Sequence, residues 1–360
     1  MKNIDLLIGN FFESNTKKLP VGISFAGNYY QIKVRSILNI DHSISLIYGL
    51  NNKTYDSETD ITYIVLNQKK HFSNTLLIIK HISKLARKDK KNKNVLFYNL
   101  NIYNLFYFIY YKFIKKARIV VLLADAGFLV EKKISSQILS KALLYSYGLL
   151  TLREIPELRK SQSRIEVMPG IVSKNISTTK KNKTPNTVLL SGSLGITNGL
   201  LLALDYFHNQ TKFKLFITGV PYLMSSSEFE SILEKYKSDN ISYLGVLDYK
   251  KYIDVLTSSE FSLSLRNPKD IEHQYNFPSK IVEYMSYGNI VISTLNYPEL
   301  IDEIYLKTEF TLKGLNECFT NILNISLKER EFIAKNAQDF VISHFSEDVL
   351  KTKIDNLFKM

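Results

Sequence analysis

Lys280 and Glu283 stand three residues apart in the stretch from Asn276 to Gly288, which reads N-F-P-S-K-I-V-E-Y-M-S-Y-G. In a helix that spacing puts both side chains on one face. Pro278 and Ser279 are helix-start signals, Gly288 is a stop signal, and an apolar strand-like run, Ile290–Ser293, follows. The start of a helix leaves backbone N–H groups for an anion. The amides of Ser279, Lys280 and Ile281, with the charge of Lys280, would take a diphosphate. Glu283 would accept hydrogen bonds from ribose hydroxyls. Two plainer roles compete: the helix dipole alone favours a glutamate in a first turn, and Lys280 also suits a solvated surface.

Other residues could add to this chemistry. Arg266 closes the apolar run Phe261–Leu265, where a strand would deliver it to a ligand, and arginine is the better bidentate phosphate donor. Ser191-Gly192-Ser193 ends another apolar run, and Gly199 opens the helical pattern after it; glycine there lets backbone approach a phosphate. Asp125 follows the run Ile119–Leu123 and would orient an acceptor hydroxyl or act as a base. Helix capping is its competing role.

These residues need a scaffold, and the pattern supplies an α/β one. In the first half, strands are expected at Leu6–Ile8, Val21–Phe25, Ser43–Ile47, Ile61–Leu66, Val95–Tyr98, Ile119–Leu123 and Leu149–Leu152, with helices at Tyr29–Leu38, Ile102–Lys116 and Ser135–Tyr145. A polar linker, Ile171–Asn186, separates this domain (1–170) from a second (187–335). There, strands at Thr187–Ser191, Lys214–Thr218, Ile241–Leu244, Phe261–Leu265 and Ile290–Ser293 alternate with helices, in a Rossmann-like order. Two helical segments, Leu327–His344 and Glu347–Met360, close the chain.

Composition narrows the class. With 45% hydrophobic and 22% charged residues the chain is globular rather than disordered. Cys318 is the only cysteine, which excludes an intrachain disulfide and fits a reducing compartment. The first residues carry Asp5 and Glu13 and lack the apolar core of a signal peptide, so the expected location is cytoplasmic. Residues 1–170 hold 26 Lys and Arg against 12 Asp and Glu; residues 171–360 hold 21 against 22. The excess charge therefore lies in the first half and points to an anionic partner there. Lys84, Arg87, Lys88, Lys90, Lys91 and Lys93 form a dense basic run, and Phe106 and Tyr110 lie in the aromatic stretch after it. That mixture suits an anionic membrane surface on the inner face of the cell membrane. A solvated loop beside a core helix is the plainer reading. No nucleic-acid motif accompanies the charge, so no nucleic-acid partner is expected.

The stretch P-S-K-I-V-E-Y-M-S-Y-G, followed by its strand, resembles the donor-binding motif of group 1 (family 4) glycosyltransferases of the bacterial surface-polysaccharide type. The resemblance covers most of the chain and is most specific over residues 187–300. It implies the GT-B fold: two Rossmann-like domains facing a cleft, with the last helices (336–360) returning to the first. It implies transfer of a sugar, with retention, from a nucleotide-diphospho-sugar to a hydroxyl of a glycan or polyprenyl-diphosphate-linked acceptor. No cofactor or metal is implied, and no Asp-x-Asp stands at a strand end. Lys280 and Arg266 would stabilise the departing diphosphate. Gly192, Ser193 and Gly219 match the phosphate-side glycine landmarks, Val246 and Leu247 the segment against the base, and Gly27 and Asn28 the glycine loop of the first domain. The chain also departs from the pattern. Leu194 to Thr197 hold no arginine, Asn198 replaces a lysine, and Tyr275 stands where the first of two paired glutamates is usual; Glu272 and His273 lie close by. Those losses keep two alternatives open: a sugar-nucleotide or membrane-binding partner without turnover, and a GT-B sugar-nucleotide epimerase.

Overall fold

Runs such as Arg118–Leu123 and Ile290–Ser293 are apolar on both faces, which suits strands covered on both sides by helices. The computed structural model describes residues 4–13, 20, 25–49, 52–57, 59–88, 93–162, 164–173 and 183–359. It divides into two compact units: Met1–Met168 with Leu350–Met360, and Pro169–Val349.

Unit 1 runs β1 (Leu6–Gly9), α1 (Phe25–Ile37), β2 (Ser43–Gly49), β3 (Lys53–Asp56), β4 (Ile61–Asn67), α2 (His71–Lys88) and β5 (Asn94–Tyr98). It continues with α3 (Asn104–Ile109), which passes into a π-helical turn Tyr110–Ile114, then β6 (Arg118–Leu123), α4 (Ile134–Leu144), β7 (Gly148–Thr151), α5 (Pro156–Arg159) and β8 (Ile165–Val167). The sheet order is β3-β4-β2-β1-β5-β6-β7-β8, and only β3 runs antiparallel to its neighbour. The crossover from β1 to β2 runs one way along the sheet and those from β4 to β7 run the other way. Right-handed connections therefore place α1 on one face and α2, α3 and α4 side by side on the other.

Unit 2 runs β9 (Thr184–Leu194), α6 (Leu200–His208), β10 (Lys214–Pro221), α7 (Ser226–Lys235), β11 (Ile241–Tyr243), α8 (Tyr249–Ser258) and β12 (Ser259–Ser264). Then come α9 (Glu272–Tyr275), α10 (Lys280–Ser286), β13 (Ile290–Ser293), β14 (Leu306–Lys307), α11 (Leu312–Asn324) and α12 (Leu327–His344), after which α13 (Glu347–Phe358) passes into unit 1 at Leu350. The six strands are ordered β11-β10-β9-β12-β13-β14, all parallel. Phe319 of α11 anchors the core, its ring 4.7 Å from Phe213 and stacked 5.0 Å from Tyr206. The chain reverses direction along the sheet between β9 and β12, which makes their C-terminal ends the expected ligand end.

Several elements differ from their expected extents. Of the strand expected at Val21–Phe25, residues 21–24 lie outside the described residues, and Phe25 opens α1. The basic run Lys80–Lys88 lies on helix α2 rather than in a loop; Lys90 and Lys91 lie outside the described residues. Strand β9 begins at Thr184, inside the expected linker, and continues to Leu194. Residues 336–349 of the expected returning tail stay with unit 2, and Leu350–Met360 belong to unit 1.

Candidate functional site

At the switch point of unit 2, Gly192 of β9 pairs with Gly219 of β10. Both take positive φ, +117° and +138°, which a side chain rarely adopts. A Cβ on Gly219 would overlap the carbonyl of Gly192, and one on Gly192 would press on Lys280, 3.2 Å from Cε and 3.3 Å from Nζ. The positive φ is what calls for glycine at 192, since the neighbouring atoms are the mobile end of a lysine side chain. Gly192 and Ser193 thus belong to the strand itself rather than to a loop beyond it.

Helix α10 starts at Lys280 and ends where Gly288 takes φ +71°. Ile281, Val282, Tyr284 and Met285 are buried, so Lys280 and Glu283 occupy the other, half-buried face. Lys280 Nζ donates to Ser191 Oγ at 2.9 Å. Ser191 Oγ in turn shares a hydrogen bond of 2.8 Å with the Tyr284 hydroxyl. From α8, the Tyr252 hydroxyl donates to Glu283 Oε2 at 2.8 Å, and Lys280 Nζ lies 5.0 Å over the Tyr252 ring. Burial holds the Lys280 pKa below the usual lysine range, with the Glu283 charge opposing that shift. Burial, reinforced by Glu283, raises the Tyr252 hydroxyl well above its usual value. Among the described residues no carboxylate lies within ion-pair distance of Lys280, whose only hydrogen-bond acceptor is a neutral hydroxyl.

Around this cluster the other expected residues take varied places. Arg266 follows β12; its amide donates to Thr294 Oγ1 at 2.7 Å, and its guanidinium reaches the Asn276 carbonyl at 3.4 Å, on the chain leading into α10. Ser279 has helical dihedrals and makes no capping bond through its side chain. The Ile281 side chain is core, and its N–H donates to the Pro278 carbonyl at 2.9 Å, so neither is offered to a ligand. Asn198 donates to the Ser193 carbonyl at 3.0 Å. Val246 is exposed and Leu247 half-buried on the loop after β11, while Asp248 caps α8. His273 is buried with Nδ1 3.0 Å from the Asn267 carbonyl, which makes it part of its loop's structure.

In unit 1 the expected residues do structural work. Gly27 and Asn28 lie inside α1, not in a loop. Asn28 is buried, accepting from Phe12 N at 2.7 Å and donating to Phe12 O at 3.1 Å. Asp125 is exposed, and its Oδ1 accepts from the Gly127 amide at 3.0 Å, an Asx turn ahead of the short helix Gly127–Leu129, whose N-cap is Ala126. Lys84, Arg87 and Lys93 are exposed. Phe106 is half-buried and Tyr110 is buried, so Tyr110 is a core residue rather than a surface anchor; Phe113 and Ile114 are exposed instead. Tyr252 and Tyr284 carry no expected role in the sequence, though both hydroxyls join the Lys280 cluster. Among the described residues no group of three metal-ligating side chains comes together.

No family model matches the chain, and no curated protein matches it. Solved structures do. HepE of Anabaena, in complex with UDP-glucose, aligns over 98% of both chains with a TM-score of 0.70 at 13% identity. The UDP-forming alpha,alpha-trehalose-phosphate synthase of Burkholderia xenovorans, in complex with glucose-6-phosphate, aligns over 98% of this chain and 99% of that one, with a TM-score of 0.69 at 11% identity. The lipopolysaccharide outer core galactosyltransferase WaaB aligns over 98% of both chains, with a TM-score of 0.63 at 15% identity. At these identities the likeness concerns the fold, which is GT-B.

Proposed function

We propose that this protein is a glycosyltransferase that moves a sugar, with retention, from a nucleotide-diphospho-sugar to a hydroxyl of a glycan or lipid-linked acceptor in surface polysaccharide assembly. The observation that carries the reading is Lys280: a half-buried lysine beside a positive-φ glycine, at the switch point, whose hydrogen bond goes to a neutral hydroxyl and whose nearby carboxylate, Glu283, makes no ion pair with it. A diphosphate supplies the missing negative charge. As the bond from the anomeric carbon to the diphosphate breaks, its electron pair stays on the leaving oxygen, where Lys280 and Arg266 stabilise it. The acceptor oxygen bonds to the anomeric carbon and its proton leaves with the diphosphate. Glu283 keeps Oε2 on Tyr252, and its Oε1 accepts from the ribose. The exposed Val246 offers apolar surface to the base. HepE holds UDP-glucose and WaaB acts on lipopolysaccharide, which supports this choice of donor and pathway.

A second reading, a binding partner without turnover, is favoured by two features: Tyr275 stands where the resembled pattern has its first paired glutamate, and the stretch from Leu194 to Thr197 has no cation. Titration calorimetry with nucleoside diphosphates and their sugars, on wild type and Glu283→Ala, tests the site. The expected result is selective binding of one base, weakened at least about tenfold in the variant, the weight of a charged hydrogen bond. A folded wild type that binds none of them removes the donor site. Binding without release of nucleoside diphosphate to any acceptor supports the second reading.

A further inference from the structure

Helix α2 packs inward through a mixed polar and apolar face and carries an exposed apolar stripe on the opposite one. Asn74, Ile78 and His81 are buried against the sheet. Phe72, Leu76 and Ile79, spaced i, i+4, i+7, form the stripe on the outward side, with Phe72 77% exposed. The helix packs through its inward face; the outward stripe has no partner among the described residues of unit 1. Lys80, Lys84 and Arg87 flank it, all exposed. Helix α4 repeats the arrangement. Its Leu139 and Leu143 are buried, while Ile134 (77% exposed), Ile138 and Tyr145 point outward with Lys141 among them. Between the two, the π-helical turn exposes Phe113 and Ile114, the latter 68% exposed. The three elements are neighbours on one face of the sheet. His81 bonds the Tyr107 hydroxyl at 2.8 Å, joining α2 to α3, and Phe113 meets Tyr145 edge to face at 5.8 Å.

We infer that this face of unit 1 docks on an anionic lipid bilayer, with the apolar side chains entering the headgroup boundary and the lysines and arginine pairing with lipid phosphates. Charge selects the occupant. None of α2, α3 with its π-helical turn, or α4 contains an Asp or Glu. A second copy of the same face would bring like charges together. Single-stranded nucleic acid stacks on rings, and the face offers Phe72, Phe113 and Tyr145 but is made mostly of the aliphatic Leu76, Ile79, Ile114, Ile134 and Ile138. An anionic bilayer satisfies both the charge and the aliphatic stripes. Among the described residues no helix is long and apolar enough to cross a membrane, so the contact is peripheral. The inference does not depend on the donor site, which lies in unit 2.

The test is co-sedimentation with phosphatidylglycerol–phosphatidylcholine vesicles, against pure phosphatidylcholine vesicles and a single-stranded oligonucleotide at matched salt. Wild type is expected on the anionic vesicles, less so as salt rises, and not on the neutral ones. Phe72→Ser/Leu76→Ser/Ile79→Ser and Lys80→Glu/Lys84→Glu/Arg87→Glu should each lower the partition coefficient at least about tenfold, with the thermal melt kept, because the altered side chains face outward. Ile134→Ser/Ile138→Ser, on a separate helix, gives the same readout if the α2 variants fail to fold. Absence of wild-type binding to anionic vesicles, equal binding by the folded variants, or preference for the oligonucleotide overturns the inference.

Discussion

Lys280 is a cation held partly out of water by Gly192 and the Tyr252 ring, and that setting has a pH consequence. Its pKa is lowered by burial, so in the free protein the charge is lost at lower pH than for an exposed lysine. Diphosphate binding needs the charged form. Affinity for a nucleoside diphosphate should therefore fall as pH rises toward that lowered value. Lys280→Arg, ionised throughout, should flatten the slope, and Lys280→Met should weaken binding by about tenfold to a hundredfold at neutral pH. Calorimetry across an alkaline pH series reads both; a Lys280→Met variant with wild-type affinity would sink the assignment. The pair Lys280 and Glu283 was legible because three-residue spacing on a helix is a local property. Their partners were not: Tyr252 is 31 residues from Glu283 and Ser191 is 89 from Lys280, contacts that only the fold creates. The sequence did not show that the Ile281 amide is already used within the turn, on the Pro278 carbonyl, because turn signals locate a helix start without saying which amides the turn itself consumes.

At the scale of elements, β9 and β10 extend past the point where their apolar runs end, because Gly192 and Gly219 pair across the ladder with positive φ. A run of apolar residues marks the buried part of a strand and is blind to such a continuation. Gly219→Ala has no room: its Cβ meets the Gly192 carbonyl, and φ +138° is costly for any side chain. Denaturant unfolding of unit 2 should show a loss of about 2 kcal/mol or more. Gly245→Ala serves as the comparison, since φ +69° is also positive but nothing lies within 4 Å of the added carbon. Equal losses at the two sites would mean that backbone strain, not the close approach of two strands, explains Gly219. Helix α2 escaped the sequence reading for a different reason: its buried face sets Ile78 between the polar Asn74 and His81 while Phe72, Leu76 and Ile79 face outward, so apolar positions do not mark the packed side. Strands β3 and β8 were missed because each is short and lies at a sheet edge.

For the molecule as a whole, alternating strands and helices made two α/β domains legible, but the division of the tail rests on contacts no pattern reports. Helix α13 starts in unit 2, and from Leu350 onward the chain belongs to unit 1. Leu350, Ile354, Leu357 and Phe358 are buried there. Lys353 pairs with Glu166 at 3.0 Å, Arg118 donates to the Phe358 carbonyl at 3.0 Å, and Arg164 donates to that of Lys359 at 2.8 Å. These partners are separated by 187 to 240 residues. Truncating one buried aliphatic or aromatic side chain costs about 2–5 kcal/mol, and a domain's whole stability is about 5–15 kcal/mol. Deleting Leu350–Met360 removes four such side chains, so unit 1 should lose its cooperative unfolding transition. Unit 2, whose Phe319-centred core has no residue in the deleted segment, should keep its own. Urea unfolding followed by circular dichroism, with limited proteolysis read by mass spectrometry, separates the two. Cleavage should concentrate within residues 1–168 in the truncated chain, and Ile354→Ala should show a milder form of the same loss. If unit 2 became protease-sensitive along with unit 1, the tail would be a support shared by both units rather than a part of the first.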